Sequence, residues 1–258
     1  LGIGTAELVE IEAGGQCSLL RALPTERVDK GTLFAPMHWT RQRSASGPVN
    51  AVVHTRVDPV SGQPALKSGR VSARRFDAAW YAFIASARPI RQYGAYCAVA
   101  RTATGWQAEV ADARPLSDAL AAFKVLTSAQ GGEISEMHDG TAGLVRIAHR
   151  VEGALNAVMF CAPEPVAVSR AHAIALIGTE TLVSDALSGR ARGDAPDPGA
   201  TVCACMGVGL NDLRRAVAAG AGSIEALGAA TGAGTNCGAC RPELAGLLPP
   251  ATDAIAAE

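Results

Sequence analysis

The sequence predicts an α+β chain built from more than one domain, and three observations predict it. Residues 1–76 alternate apolar and polar residues between glycine-rich turns; the middle repeats a strand–strand–helix pattern; the last part sets two short capped helices between two cysteine pairs. A chain of 258 residues that is 48% apolar buries real cores, as one large domain or two to three small ones. A formal net charge of −1 argues against a dedicated nucleic-acid or membrane-surface binder. No apolar run is long enough to span a bilayer, and no charged-then-apolar leader opens the chain. The first residues, Leu1-Gly2-Ile3, lack an initiator Met and already sit in a structured pattern, so the chain is expected to be a fragment without its N-terminal part.

The first third reads as strands. LVEIEA and QCSLLRAL flank Gly14-Gly15, which is a hairpin signal. Residues 32–35 are expected to form another strand, and residues 69–75 a last one. Between them lie Pro36-Met37-His38-Trp39, the segment 49–53, and the turn-rich run Asp58-Pro59-Val60-Ser61-Gly62-Gln63-Pro64-Ala65-Leu66-Lys67. Lys67, Arg70, Arg74, Arg75, Arg88 and Arg91 face Asp77 alone along the sequence, a local positive excess that would suit an acidic partner or simply solvate an edge.

In the middle, the aromatic-rich residues 78–84 are expected to pack in a core. Residues 93–101 and 106–111 read as a hairpin, followed by a helix over 116–126 with Ser117 as its cap. Strands over 143–151 and 154–160 follow, joined by Glu152-Gly153, and then a helix over 168–177 ended by Gly178. His138, His149 and His172 have no second ligand at metal spacing and read as surface or packed residues. Residues 187–200, LSGRARGDAPDPGA, have linker composition.

The chemistry gathers at the end. Cys203-x-Cys205 and Cys237-x-x-Cys240 supply four soft thiolates, as zinc and iron–sulfur clusters require. Glycines after Cys205 let backbone amides approach sulfur. Asn211 is expected to cap a helix over 212–219, Ser223 one over 224–230, and Arg241-Pro242-Glu243 to start a third. Zinc is the main alternative, but paired zinc sites use Cys-x-x-Cys twice, so the spacing favours a cluster. A thioredoxin-like Cys237-x-x-Cys240 lacks its βαβ context, and disulfides do not suit a cytosolic chain. Cys17, Cys97 and Cys161 stand alone and are expected to be buried small hydrophobes.

These motifs carry two resemblances. Residues 201–248 resemble the small [2Fe–2S] domain of the bacterioferritin-associated ferredoxin type, with Cys203, Cys205, Cys237 and Cys240 at its four ligand positions. The order of hairpin, PMHW, Asn50 and DPVSGQP-x-LK resembles the molybdopterin dinucleotide-binding domain of molybdopterin oxidoreductases, bacterial assimilatory nitrate reductases above all. That resemblance implies a partial double-psi β-barrel over residues 1–76, an α+β connector over 77–186, a linker over 187–200, the helical [2Fe–2S] domain over 201–248 and a tail over 249–258. It implies that His38, Trp39, Asn50, Asp58, Gln63 and Lys67 contact a pterin–guanine dinucleotide, through amide, imidazole and ammonium groups.

The implied activity is reduction of nitrate to nitrite at a molybdenum ion held by two pterin dinucleotides, in the cytoplasm. The [2Fe–2S] module would relay electrons from ferredoxin, flavodoxin or a flavoprotein. A [4Fe–4S] cluster and the molybdenum-ligand region belong to the missing N-terminal portion, so no catalytic residue is assigned here and the fragment alone is expected to be inactive. The competing readings are a stand-alone [2Fe–2S] carrier fused to a β-domain, a zinc-stabilised interaction module, and another molybdopterin oxidoreductase such as a formate dehydrogenase.

Overall fold

The computed structural model describes residues 1–36, 40–65, 69–190, 198–199, 201–203, 206–236, 238 and 240–248. It divides into two compact units, Leu1–Ala191 and Arg192–Glu258. The fold is mixed α+β with antiparallel sheets.

The first unit opens with the hairpin β1 (Leu8–Ala13) and β2 (Gln16–Arg21). Ala13 pairs with Gln16, leaving a two-residue loop in which Gly14 and Gly15 have φ of 59° and 75°. Both central residues therefore sit where only glycine is free to sit, matching the twist of the flanking strands. Strand β3 (Ser72–Phe76) pairs with the other edge of β1, giving the order β2-β1-β3. Its register puts Arg74 opposite Glu10, and the two form an ion pair. Arg75 reaches Glu7 at 2.9 Å and Asp77 at 3.3 Å. The positive excess read along the sequence is thus offset in part by acids more than sixty residues away. The strand expected over 32–35 does not form: Thr32 closes a turn on Asp29 (2.9 Å), and Leu33 and Phe34 are exposed with no partner strand among the described residues.

A six-stranded antiparallel sheet follows. It contains β4 (Trp80–Ser86), β5 (Tyr96–Arg101), β6 (Trp106–Asp112), β7 (Glu133–Asp139), β8 (Leu144–Val151) and β9 (Ala154–Ala162), in the order β5-β6-β4-β9-β8-β7. Central strand β4 is buried on both faces. Ala82 and Ile84 pack with Phe123 and Leu126 on one side, while Phe83 and Ala85 pack with Val158, Phe160 and Ala173 on the other. Burial on both faces erases alternation, which is why 78–84 read only as an aromatic core segment. Strand β7 was missed for the opposite reason. EISEMHD is a sheet edge in which charged side chains displace the apolar pattern. The strand–strand–helix pattern is therefore strand–strand–strand–helix in each half.

The helices on the sheet are α1 (Ala119–Thr127), α2 (Arg170–Ala175) and α3 (Val183–Ser188). Asp118, not Ser117, caps α1, its carboxylate accepting from the Ala121 N–H at 2.8 Å. Helix α2 is shorter than expected, starting after the Ser169 cap and tightening into three-residue turns before Gly178. Helix α3 takes Leu187 and Ser188 from the segment read as linker. Gly189 then packs so closely that an added Cβ would lie 2.7 Å from Val168. A small cluster of Leu8, Leu19, Tyr96 and Ala111 joins the three-stranded sheet to the large one. His149 is buried and bonded to the Gly131 carbonyl at 2.8 Å; exposed His138 meets Glu136. Cys97 and Cys161 are buried as expected, and burial pushes both thiols up, Cys161 to about 11. Cys17 is exposed on β2, contrary to expectation, because its side of the hairpin end is uncovered.

The second unit has a two-stranded ladder, β10 (Thr201–Cys203) with β11 (Val208–Gly209), and helices α4 (Leu210–Ala218), α5 (Ile224–Thr231) and α6 (Arg241–Leu247). Leu213, Leu227 and Leu244, one from each helix, are fully buried around Cys203, Val208, Ala233 and Cys240. Gly209, not Asn211, precedes the first helical residue; the Asp212 carboxylate accepts from its N–H at 3.2 Å. A side chain there would lie 1.9 Å from the Pro198 carbonyl, so the chain needs glycine at this approach. Ser223 caps α5 as expected, accepting from the Ala226 N–H at 3.1 Å, and Gly232 ends it with φ of 79°. No helix among the described residues is long and apolar enough to cross a membrane.

Candidate iron–sulfur and dinucleotide sites

Two of the four expected ligands, Cys205 and Cys237, lie outside the described residues, as do His38, Trp39 and Lys67. The structure brings the other two cysteines together. Cys203 ends β10, Cys240 precedes α6, and they sit side by side in the core of the second unit with relative exposures of 1% and 6%. Thirty-six residues separate them. Helices α4 and α5 close that distance because each turns its leucine inward onto the same centre. No disulfide joins the described cysteines.

The environment explains what such a pair is suited to hold. Burial pushes the Cys240 thiol up and the neighbouring Cys203 pushes it further, while the Gly234 N–H, donating to the sulfur, draws it down. Two thiolates side by side in an apolar centre repel each other unless a cation or an iron–sulfur core neutralises them. Amide donors aimed at sulfur suit an electron-rich cluster. The residues present therefore fit a thiolate-bound iron–sulfur group. Among the described residues alone, no group of three or more His, Cys, Asp or Glu gathers in metal-binding geometry.

The second cysteine loop is held from outside. Thr235 donates its hydroxyl to the Gly232 carbonyl at 2.7 Å, and the Arg241 N–H bonds the Gly238 carbonyl at 3.0 Å. Arg241 also reaches Glu225 of α5 at 2.7 Å. Sequence reading missed this pair. Nothing local marks it, since the two residues lie on different helices and sixteen positions apart.

In the first unit the three expected dinucleotide contacts that are described, Asn50, Asp58 and Gln63, are exposed. Asn50 lies on the 3-10 turn Val49–Val52, which buries Val52 and is anchored where Ser18 donates to the Pro48 carbonyl at 2.9 Å. Asp58 and Gln63 share one loop, closed by the Asp58 N–H on the Gln63 carbonyl at 2.8 Å. The Asp58 carboxylate accepts from the Ser61 N–H (2.7 Å), the Ser61 hydroxyl (2.9 Å) and the Val60 N–H (3.0 Å), which holds its carboxyl below the usual range. It organises its own turn. Gln63 and Asn50 keep their amides on the surface.

A cavity of about 430 Å³ in the first unit was also not foreseen. Val9, Ile11, Leu33 and Phe34 form much of its apolar wall, and Glu109 stands at its polar end. There Glu109 takes Arg21 at 3.0 Å and Arg170 at 2.5 Å, and the Arg170 guanidinium lies 5.2 Å over the Phe83 ring. Arg21, Glu109 and Arg170 come from three distant segments, so no sequence signal joins them.

Residues 201–249 match the family described as "BFD-like [2Fe-2S] binding domain", and residues 1–70 match "Molydopterin dinucleotide binding domain". With the buried cysteine pair, these matches define the class: a chain corresponding to the C-terminal part of a molybdopterin oxidoreductase, with modules for a molybdopterin dinucleotide and a [2Fe–2S] cluster. The particular relative is a nitrate reductase of Klebsiella oxytoca, 30% identical over 231 residues, which are 84% of this chain and 25% of the relative. The chain therefore spans about a quarter of the length of the curated relative it matches. No solved structure matches it.

Proposed function

We propose that the chain is the C-terminal part of an assimilatory nitrate reductase, in which the second unit delivers electrons to a molybdenum centre. What supports this most is one conjunction. The two family matches occur in the same order as in the sequence motifs, and buried Cys203 and Cys240 meet inside the match to the [2Fe–2S] family. In this reading Cys203, Cys205, Cys237 and Cys240 hold the cluster, which supplies one-electron exchange when bound. The donor is a ferredoxin, a flavodoxin or a flavoprotein. In the whole enzyme two such electrons and two protons convert nitrate to nitrite and water, at molybdenum held by two pterin dinucleotides. A [4Fe–4S] cluster would lie in the portion that precedes this one.

The chain's own residues have three tasks. The thiolates bind; the leucines of α4, α5 and α6 keep water from the sulfurs; the Gly234 amide stabilises charge at Cys240. His38, Trp39, Asn50, Asp58, Gln63 and Lys67 form part of the dinucleotide wall, with Asp58 shaping the loop that presents Gln63. The protein works in the cytoplasm and is inactive on nitrate by itself.

Anaerobic purification tests the reading. A brown chain with about two irons and a paramagnetic signal on reduction is expected. A colourless chain carrying one zinc would overturn the electron-transfer role. The longer protein of which this is part should reduce nitrate with a reduced ferredoxin-type or flavin donor; oxidation of formate with reduction of an added dye, and no nitrate reduction, would reassign the substrate.

A further inference from the structure

We propose that Arg241 and Glu225 form a charge clasp over the second cysteine loop and together set the reduction potential of the cluster. This rests on the cluster reading above and adds to it two residues that are not ligands.

The placement of Arg241 carries the inference. It directly follows Cys240 and opens α6. Its side chain lies close to two glycines of the segment before it. A Cβ built at Gly234 would be 3.4 Å from Arg241 Cγ, and one built at Gly238 would be 3.7 Å from Arg241 Cδ. Gly238 stands between Cys237 and Cys240, and Gly234 supplies the amide that donates to the Cys240 sulfur. The stem of Arg241 thus lies against Gly234 and Gly238, which stand on either side of Cys237 in the sequence. A side chain at Gly234, with φ of 78°, or at Gly238, with φ of 73°, would strain the backbone, and a Cβ at Gly234 would also lie 2.9 Å from Leu244 Cδ1.

The head of Arg241 is fixed at the other end. Its Nη2 meets Glu225 Oε1 at 2.7 Å, in the first turn of α5. The pair therefore ties the start of α5 to the start of α6 across the loop. Arg241 holds the Glu225 carboxyl below its usual range, so the carboxylate is ionised at neutral pH.

Reduction adds one negative charge to the cluster, taken from the donor. A guanidinium beside the ligand loop favours that electron, and a carboxylate beside the guanidinium opposes it. The clasp sets the balance. Both side chains are largely in solvent, at 46% and 74% exposure, so their effect is moderate and screened by salt.

The test uses the full chain with its cluster, in three variants: Glu225→Gln, Arg241→Gln and the double variant. Iron content and the visible spectrum establish cluster occupancy, and a spectroelectrochemical titration at low and high salt reads the reduction equilibrium. Glu225→Gln is expected to favour the reduced cluster by roughly two- to fivefold at low salt, and Arg241→Gln to disfavour it by a similar factor. The double variant should return close to wild type, and all shifts should shrink at high salt. Two results overturn the clasp: an unchanged equilibrium in both single variants at full occupancy, or shifts of the same sign in both. If Arg241→Gln loses the cluster, Arg241→Lys replaces it and should hold the wild-type equilibrium while Glu225→Gln shifts it. A wild-type chain that assembles no cluster overturns the reading on which the clasp rests, and the clasp with it.

Discussion

The two candidate sites are built in opposite ways. In the second unit, Cys203 and Cys240 are part of the hydrophobic core, packed among Leu213, Leu227 and Leu244. In the first unit, Asn50, Asp58 and Gln63 lie on exposed loops, and Asp58 spends its carboxylate on its own turn. A thiolate site needs its ligands desolvated and converged, so folding and site formation are one event. A wall for a large polar cofactor needs only presented amides and a rigid loop, so its residues remain wet until the cofactor and its other contacts are present.

That contrast is sharpest for the cysteines. Cys240→Ser should remove most bound iron and the visible absorption, whereas exposed Cys17→Ser should leave both unchanged; equal loss in the two would break the distinction between core ligands and surface thiols. Next in size is Leu213→Ala, which empties the centre of the cysteine core. It should cost about 2–5 kcal/mol in denaturant unfolding of the second unit. Little or no cost would mean that the cysteine site stands without its helical packing. Asp118→Ala should lower the stability of the first unit by about 1 kcal/mol by leaving the Ala121 N–H without its cap.

A pH dependence follows from Asp112. A side-chain hydrogen bond from Arg114 outweighs burial and holds the Asp112 carboxyl below its usual range. A depressed carboxyl stabilises the fold above the unfolded-state value, about 4, and that contribution is lost as pH falls from there through the folded value. Asp112→Asn should therefore flatten the acid side of the stability profile and change little near neutrality in its slope. Smallest of all is Asp58→Ala. It should leave global unfolding unchanged while loosening the loop, read as faster amide exchange at Val60 and Ser61. A large loss of global stability would mean that the loop is part of the core after all.

Much of this was legible in the sequence where the signal was local. The Gly14-Gly15 hairpin, the hairpin β5–β6, strands β8 and β9 and the Ser223 cap all announce themselves within a few residues. Strand β4 did not, since burial on both faces removed its alternation, and β7 did not, since its edge position favours charge. Residues 32–35 failed in the reverse direction. Their apolar composition resembles a strand, but a strand exists only where another edge accepts its hydrogen bonds. Helix caps slipped by one or two positions wherever cap-forming residues stood side by side, as Ser117-Asp118 and Gly209 to Asn211 do.

By itself the sequence determined the ligand types, their paired spacing, the helices between the pairs and the order of the two modules. Each is a property of neighbouring residues. Only the tertiary structure decided that Cys203 and Cys240 meet in a buried centre, that Arg74 finds Glu10 on β1 and Arg75 finds Glu7 just before it, and that Arg241 passes Gly234 and Gly238 to reach Glu225. Those are contacts between distant segments. They depend on how the apolar faces of helices and strands are forced together, which no local pattern encodes.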